Sequence, residues 1–328
     1  MAFGGEYGTL KLWNAETKED VAVLVGHTAE IKGIFFTKDG GRIVSTSDDR
    51  TIRIWDTNTH EQLHLLDGYT IPLRYTSISP DGNWVATLDS YDSATIRSLH
   101  PTPPILKLEG HTGGVNAVAF SPDGKTVASA GGHWKSWDDD RVIVWDVKTA
   151  KPLAELKGNG ASVFDVVFSH DGTKLYTTRV GVGAVIWDVA SQSIIEEIPL
   201  ADAASKDTVV YRLALSPDGR YLAMGGWELE HVTLWDLENK RIAHRLPGHT
   251  QALDGLCFSP DGRHLASINR DGFLRVWDVF TGELSHKIAI VNDTDTWLSS
   301  CAFSPDGEKI TIGADKGLLV TWDWRNEK

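Results

Sequence analysis

Cysteine is scarce: two residues in 328, too few for a disulfide framework. Cys257 and Cys301 sit in apolar repeat segments beside Phe258 and close to Phe303, and they read as core thiols rather than a disulfide or metal pair. No apolar run is long enough to span a bilayer. The start, MAFGGEYGTLKLWN, has no basic segment followed by an apolar stretch, so no signal peptide is read there. Positive charge is also in deficit: the formal net charge is −13. Such a chain repels phosphate backbones and anionic lipid, and no basic cluster with interleaved aromatics offsets it. Neither nucleic acid nor membrane is expected as a partner, and a cytoplasmic location is expected. HExxH, GxSxG, P-loop and CxxC patterns are all missing, so no catalytic residues, cofactor or metal are predicted. His133 near Asp138, Asp139 and Asp140 offers metal-type ligands, but one histidine beside an acidic loop is a weak set.

What is present is a repeat. A four-residue turn recurs seven times, at Thr37–Gly40, Ser79–Gly82, Ser121–Gly124, Ser169–Gly172, Ser216–Gly219, Ser259–Gly262 and Ser304–Gly307, mostly as Ser-Pro-Asp-Gly. Proline presets φ, aspartate bonds local backbone and glycine supplies positive φ, so each turn between apolar runs marks a hairpin. Downstream, alternating runs end in Trp55-Asp56, Trp145-Asp146, Trp187-Asp188, Trp235-Asp236, Trp277-Asp278 and Trp322-Asp323, with Trp13-Asn14 as a variant. In the second repeat Ser98-Leu99 is read at that place. A further strand-like run follows each mark, and Gly-His appears at residues 26–27, 110–111 and 248–249.

The combination, at a period of about 40–45 residues, resembles the WD40 repeat family over nearly the whole chain. The resemblance implies an all-β, seven-bladed β-propeller of four-stranded antiparallel blades, strands a to d, with blade packed on blade. It also implies structural tetrads of His, Ser, Asp and Trp: His27, Ser45, Asp49, Trp55; His111, Ser129, Asp139, Trp145; and His249, Ser267, Asp271, Trp277. A His–Ser–Asp set that repeats around a fold reads as a buried orienting network, not a hydrolase triad. Tyr69 and Asn159 stand where two other repeats would carry the histidine. Family closure would use residues 20–25 as strand d of the last blade. That divides the chain into 1–19, a surplus strand or the end of a preceding repeat, and 20–328, the propeller.

Length variation is concentrated. The distance from the Ser position to the Trp position is ten or eleven residues, but sixteen from Ser129 to Trp145. The interval from Trp187 to Gly219 is 32 residues and from Trp277 to Gly307 is 30, against 26 or 27 elsewhere. These extra residues fall in b–c and d–a loops, which in the family open on one face, the top. Tyr69, Tyr91, Asp92, Trp134, Trp137, Asp138, Trp227, Glu228 and Trp297 map there, with Asp140, Glu230, Asp293 and Asp295. Aromatic anchors among acids suit a protein or peptide partner carrying Arg or Lys. The expected function is therefore a non-catalytic protein-binding scaffold, a monomeric propeller within a complex or longer chain. The alternative is a ligand-sensing or metal-binding module attached to an effector enzyme in a longer protein. The regular turns look like those of bacterial WD40 proteins, in which such effectors often accompany the propeller.

Overall fold

The computed structural model describes residues 2–4, 9–14, 19–29, 31–37, 40–71, 73, 76–90, 93–99, 105–132, 139–158, 160–200, 209–227, 229, 231–290, 298–304, 306–314 and 319–324. Among them every regular element is a strand. Six sheets have four strands in consecutive order and two, at the chain's ends, have three. The fold is an all-β propeller of four-stranded antiparallel blades, about seven by the repeat turns. By backbone proximity the chain divides into Met1–Phe168 and Ser169–Lys328.

The turns set the hairpins. In the second repeat the Gly82 N–H donates to the Ser79 carbonyl at 2.8 Å, and the Ser79 N–H donates to the Trp84 carbonyl at 2.9 Å. Asp81 accepts the Asn83 N–H at 3.0 Å, which fixes the tip. The seven turn glycines have φ between +67° and +73°, a region costly for any residue with a Cβ. His170 replaces proline in the fourth turn, yet the Gly172 N–H still reaches the Ser169 carbonyl at 2.9 Å. Proline therefore assists the turn, and glycine is the residue the geometry requires. At the other end of strand c, the aspartate of the Trp-Asp pair caps the next turn: Asp146 accepts the Thr149 N–H at 2.8 Å.

Burial follows strand position. In the third repeat, strands b (Thr126–Gly131) and c (Arg141–Asp146) are almost wholly buried, whereas strand d (Pro152–Lys157) alternates with exposed residues. Strands b and c carry apolar residues toward both faces, and within each unit these pack against an adjoining sheet. Core clusters accordingly draw on consecutive sheets. In the first unit, Ala86, Ile96 and Leu108 of the second repeat pack with Val127, Ile143 and Trp145 of the third. In the second unit, Ala223, Val232 and Leu234 pack with Leu253, Leu265 and Trp277. Each fully buried aliphatic side chain contributes about 1.5–3 kcal/mol relative to exposure, so sheet-on-sheet burial dominates the stability.

Among the described residues the chain's start forms a three-stranded sheet. Glu19–Val25 pairs with Thr9–Asn14, which pairs on its other side with Ala2–Gly4. The seventh repeat contributes Leu298–Phe303, Lys309–Ala314 and Leu319–Asp323.

Candidate functional site

Within each sheet, the register decides which connections share an end. In the third repeat Val115, opening strand a, faces Gly131, closing strand b, and Arg141, opening strand c, faces Lys157, closing strand d. The same holds in the fifth, where Val209 faces Trp227 and His231 faces Pro247. The b–c loop and the d–a connection of a sheet therefore emerge together. Five b–c or d–a connections run to eight or nine residues: 67–75, 132–140, 158–165, 200–208 and 290–297.

Two of the nine expected contact residues on this end are described. Trp227 closes strand Tyr221–Trp227 and is 48% exposed, a large apolar surface left in water. Tyr69 is 5% exposed and packs with Val44, Ile52, Ile54, Leu66 and Leu73. Its ring belongs to the core between the first and second repeats. Tyr91, Asp92, Trp134, Trp137, Asp138, Glu228 and Trp297 lie outside the described residues, as does His133.

The tetrads stand just beneath this end. In the first repeat His27 Nδ1 lies 2.8 Å from Asp49 Oδ2 and its Nε2 lies 2.8 Å from Ser45 Oγ. The Trp55 Nε1–H donates to the same Ser45 oxygen at 2.9 Å. The carboxylate must accept, so Nδ1 carries the proton and the Ser45 hydroxyl donates to Nε2. Burial pushes the His27 pKa down, partly opposed by Asp49. The third repeat repeats the set: His111 to Asp139 at 3.1 Å, His111 to Ser129 at 2.7 Å and Trp145 to Ser129 at 2.8 Å. Asp139 also accepts from Arg141 Nε at 2.9 Å and from the Thr112 N–H at 2.7 Å. Burial alone would raise its pKa, but the bonds from His111 and Arg141 outweigh that and hold the carboxyl well below its ordinary range.

The sixth repeat has the same four residue types in a different network. His249 Nε2 meets Ser267 Oγ at 2.7 Å, and Trp277 Nε1–H donates to that oxygen at 2.8 Å. The Nδ1 atom, however, faces Arg275 Nη1 at 3.2 Å, and Asp271 takes the Arg275 fork at 2.7 and 3.2 Å. A guanidinium only donates, so Nδ1 must accept and the proton moves to Nε2. Burial and the adjacent guanidinium push the His249 pKa down to about 4.

In none of these sets can the serine act as a nucleophile on an outside substrate. Ser45, Ser129 and Ser267 are each 0% exposed, and a tryptophan occupies each oxygen. The network orients strands b and c and the loop between them.

Three incomplete repeats show what replaces the set. In the second, the register places Arg97 opposite Val85, where other repeats pair tryptophan with the residue three past the turn glycine. Arg97, not Ser98-Leu99, therefore holds the tryptophan position, fifteen residues past Gly82 as Trp55 is past Gly40. Its guanidinium carbon lies 6.0 Å from the Tyr69 ring, and Nη1 donates to the Asp67 carbonyl at 2.5 Å. A Tyr–Arg pair thus stands in for His and Trp. In the fourth repeat Trp187 keeps its bond to Thr177 at 2.9 Å, and buried Arg179 pairs with Glu197 at 2.7 Å. In the fifth, Met224 occupies the Ser position, and among the described residues the buried Trp235 Nε1–H has no hydrogen-bond partner.

Among the described residues no group of three or more His, Cys, Asp or Glu is arranged to hold a metal. No helix among them is long and apolar enough to cross a membrane.

Residues 18–56, 102–146 and 240–278 match the WD40 family, described as WD domain, G-beta repeat. These segments contain the Trp-Asp marks of the first, third and sixth repeats, the same repeats that carry all four tetrad residue types. Protein groucho of Drosophila melanogaster is 30% identical over 171 residues, 51% of this chain and 22% of that protein. WD repeat-containing protein 37 of Mus musculus is 24% identical over 226 residues, 57% of this chain and 45% of that protein. WD repeat and SOCS box-containing protein 1 of Homo sapiens is 28% identical over 151 residues, 45% of this chain and 34% of that protein. The chain thus spans less than half the length of these relatives. Three of the chain's repeats are thus WD40 repeats, and its sheets have the four-stranded antiparallel form of a β-propeller.

Proposed function

We propose that the chain holds a protein or peptide partner on the end of the sheets where the b–c and d–a connections emerge. One observation carries the reading: Trp227, at the opening of such a connection, is a half-exposed indole on a rigid strand. Tryptophan on a rigid scaffold is a common anchor of binding energy. Other connections of this kind carry Trp134, Trp137 and Trp297 in sequence, together with the acids Asp138, Glu228, Asp293 and Asp295. Those acids favour a partner segment bearing Arg or Lys and speed its approach at low salt. Binding here uses no bond-making step and no cofactor.

The test is capture of partners from the source cells on immobilised protein, with identification by mass spectrometry. Trp227→Ala and Trp137→Ala, singly and together, are run beside the unaltered chain. The double variant should lose the specifically captured partner, by a factor of about 30 or more in affinity, while keeping its thermal midpoint. Undiminished capture by a folded double variant would remove this end as the docking surface.

A further inference from the structure

Cys257 lies on strand Leu253–Phe258 of the sixth repeat and Cys301 on strand Leu298–Phe303 of the seventh. The two strands belong to different sheets and share no backbone ladder. Their thiols nevertheless meet, with Sγ atoms 3.1 Å apart. Gly255 lies beside the approach. It stands two residues before Cys257, on the same side of the strand. A Cβ there would lie 2.8 Å from Ile268 Cγ1 of the paired strand and 3.4 Å, an ordinary contact distance, from the Cys301 backbone nitrogen. Both thiols are free and partly buried against Ala266, Ile268, Leu298 and Ile310. The two partly buried thiols thus touch where one sheet packs on the next.

We propose that Cys257 and Cys301 form a redox-modification site, in which oxidation joins them in one intramolecular disulfide and staples the sixth sheet to the seventh. The oxidant is a small-molecule disulfide of the glutathione class. One cysteine thiolate attacks a sulfur of that disulfide, forming a mixed disulfide and expelling one small thiolate. The second cysteine thiolate then displaces the other small thiolate and closes the Cys257–Cys301 bond. Two protein thiols are oxidised, one external disulfide is reduced to two thiols, and the two protons pass to the leaving thiolates. Sγ atoms already in contact need move only about 1 Å to reach bonding distance. The hydrogen bond to Cys301 and burial raise the Cys257 thiol well above its usual range, so the reduced pair is slow to react.

Slow reaction is removed from the test by approaching equilibrium from both sides. The full chain, reduced or pre-oxidised, is unfolded in urea and refolded into glutathione buffers from strongly reducing to strongly oxidising. It is then acid-quenched, alkylated and weighed. The expected product in oxidising buffer is a monomer lighter by two hydrogens, with no alkylatable thiol. Its thermal midpoint should lie roughly 5–10 °C above the reduced form. Cys257→Ser and Cys301→Ser should each abolish both changes. Two free thiols in the most oxidising buffer, glutathione retained on either cysteine, a disulfide-linked dimer, or an oxidised monomer no more stable than the reduced one would each overturn the proposal.

Discussion

The first and sixth repeats carry the same four tetrad residue types and organise them differently. In the first, Asp49 bonds His27 directly, and the histidine donates to it. In the sixth, Arg275 stands between, taking Asp271 for itself and donating to His249. Both repeats have arginine at this position of strand c, since Arg53 lies opposite Ser45 and Arg275 opposite Ser267. Arg53 Nη1 turns instead to Gln62 at 2.5 Å on the outer strand. A residue list therefore does not determine a network. The destination of one long side chain changes which ring nitrogen carries the proton, and with it the acid response of that sheet.

The third repeat offers the sharpest way to break the comparison, because there the His–Asp contact and an arginine act on the same carboxylate. Asp139 is 1% exposed and serves His111, Arg141 and the Thr112 backbone. Asp139→Ala leaves those donors without their acceptor and should cost about 3–5 kcal/mol. Chemical denaturation measures it, and a loss under 1 kcal/mol would mean that the set does not hold the sheet.

Next comes acid. In the unfolded chain the His249 imidazole takes its proton near pH 6.5, whereas in the folded chain it does so only near pH 4. The unfolded state therefore binds more protons in that window. Stability should fall as pH drops from 6.5 to 4, by up to about 3 kcal/mol from this group, and be insensitive to it above 6.5. Arg275→Ile installs the residue type found at Ile143, opposite Ser129 in the third repeat. NMR titration should then show the His249 pKa rising from about 4; an unchanged value would assign the depression to burial alone.

The smallest effect separates Trp277 from Trp235. Trp277→Phe removes the bond to Ser267, whereas Trp235→Phe removes an N–H that has no partner among the described residues. The first substitution should cost about 1 kcal/mol more than the second. Equal losses would argue that the bond to Ser267 adds nothing beyond ring packing.

Much of this was legible in the residues. The seven turns announce seven hairpins because glycine at positive φ has no cheap substitute, and the Trp-Asp marks locate strand c. The second repeat misled for a physical reason. With tryptophan gone no residue type marks the place, although Arg97 stands fifteen residues past Gly82, the interval from Gly40 to Trp55, and the ladder agrees. Tyr69 reads as a loop aromatic until Arg97 is seen against its ring. Met224 signals the missing acceptor in sequence, but only the buried Trp235 Nε1–H gives that loss a consequence.

By itself, the sequence determined the class of fold, the hairpin count and which residues could form tetrads, because turn chemistry and strand alternation are local. Tertiary structure alone decided which tetrads close through aspartate and which through arginine, which tyrosine is core, and that two cysteines 44 positions apart touch. Those outcomes depend on which sheet packs against which and on the direction a long side chain takes, and neither is encoded within the span of one repeat.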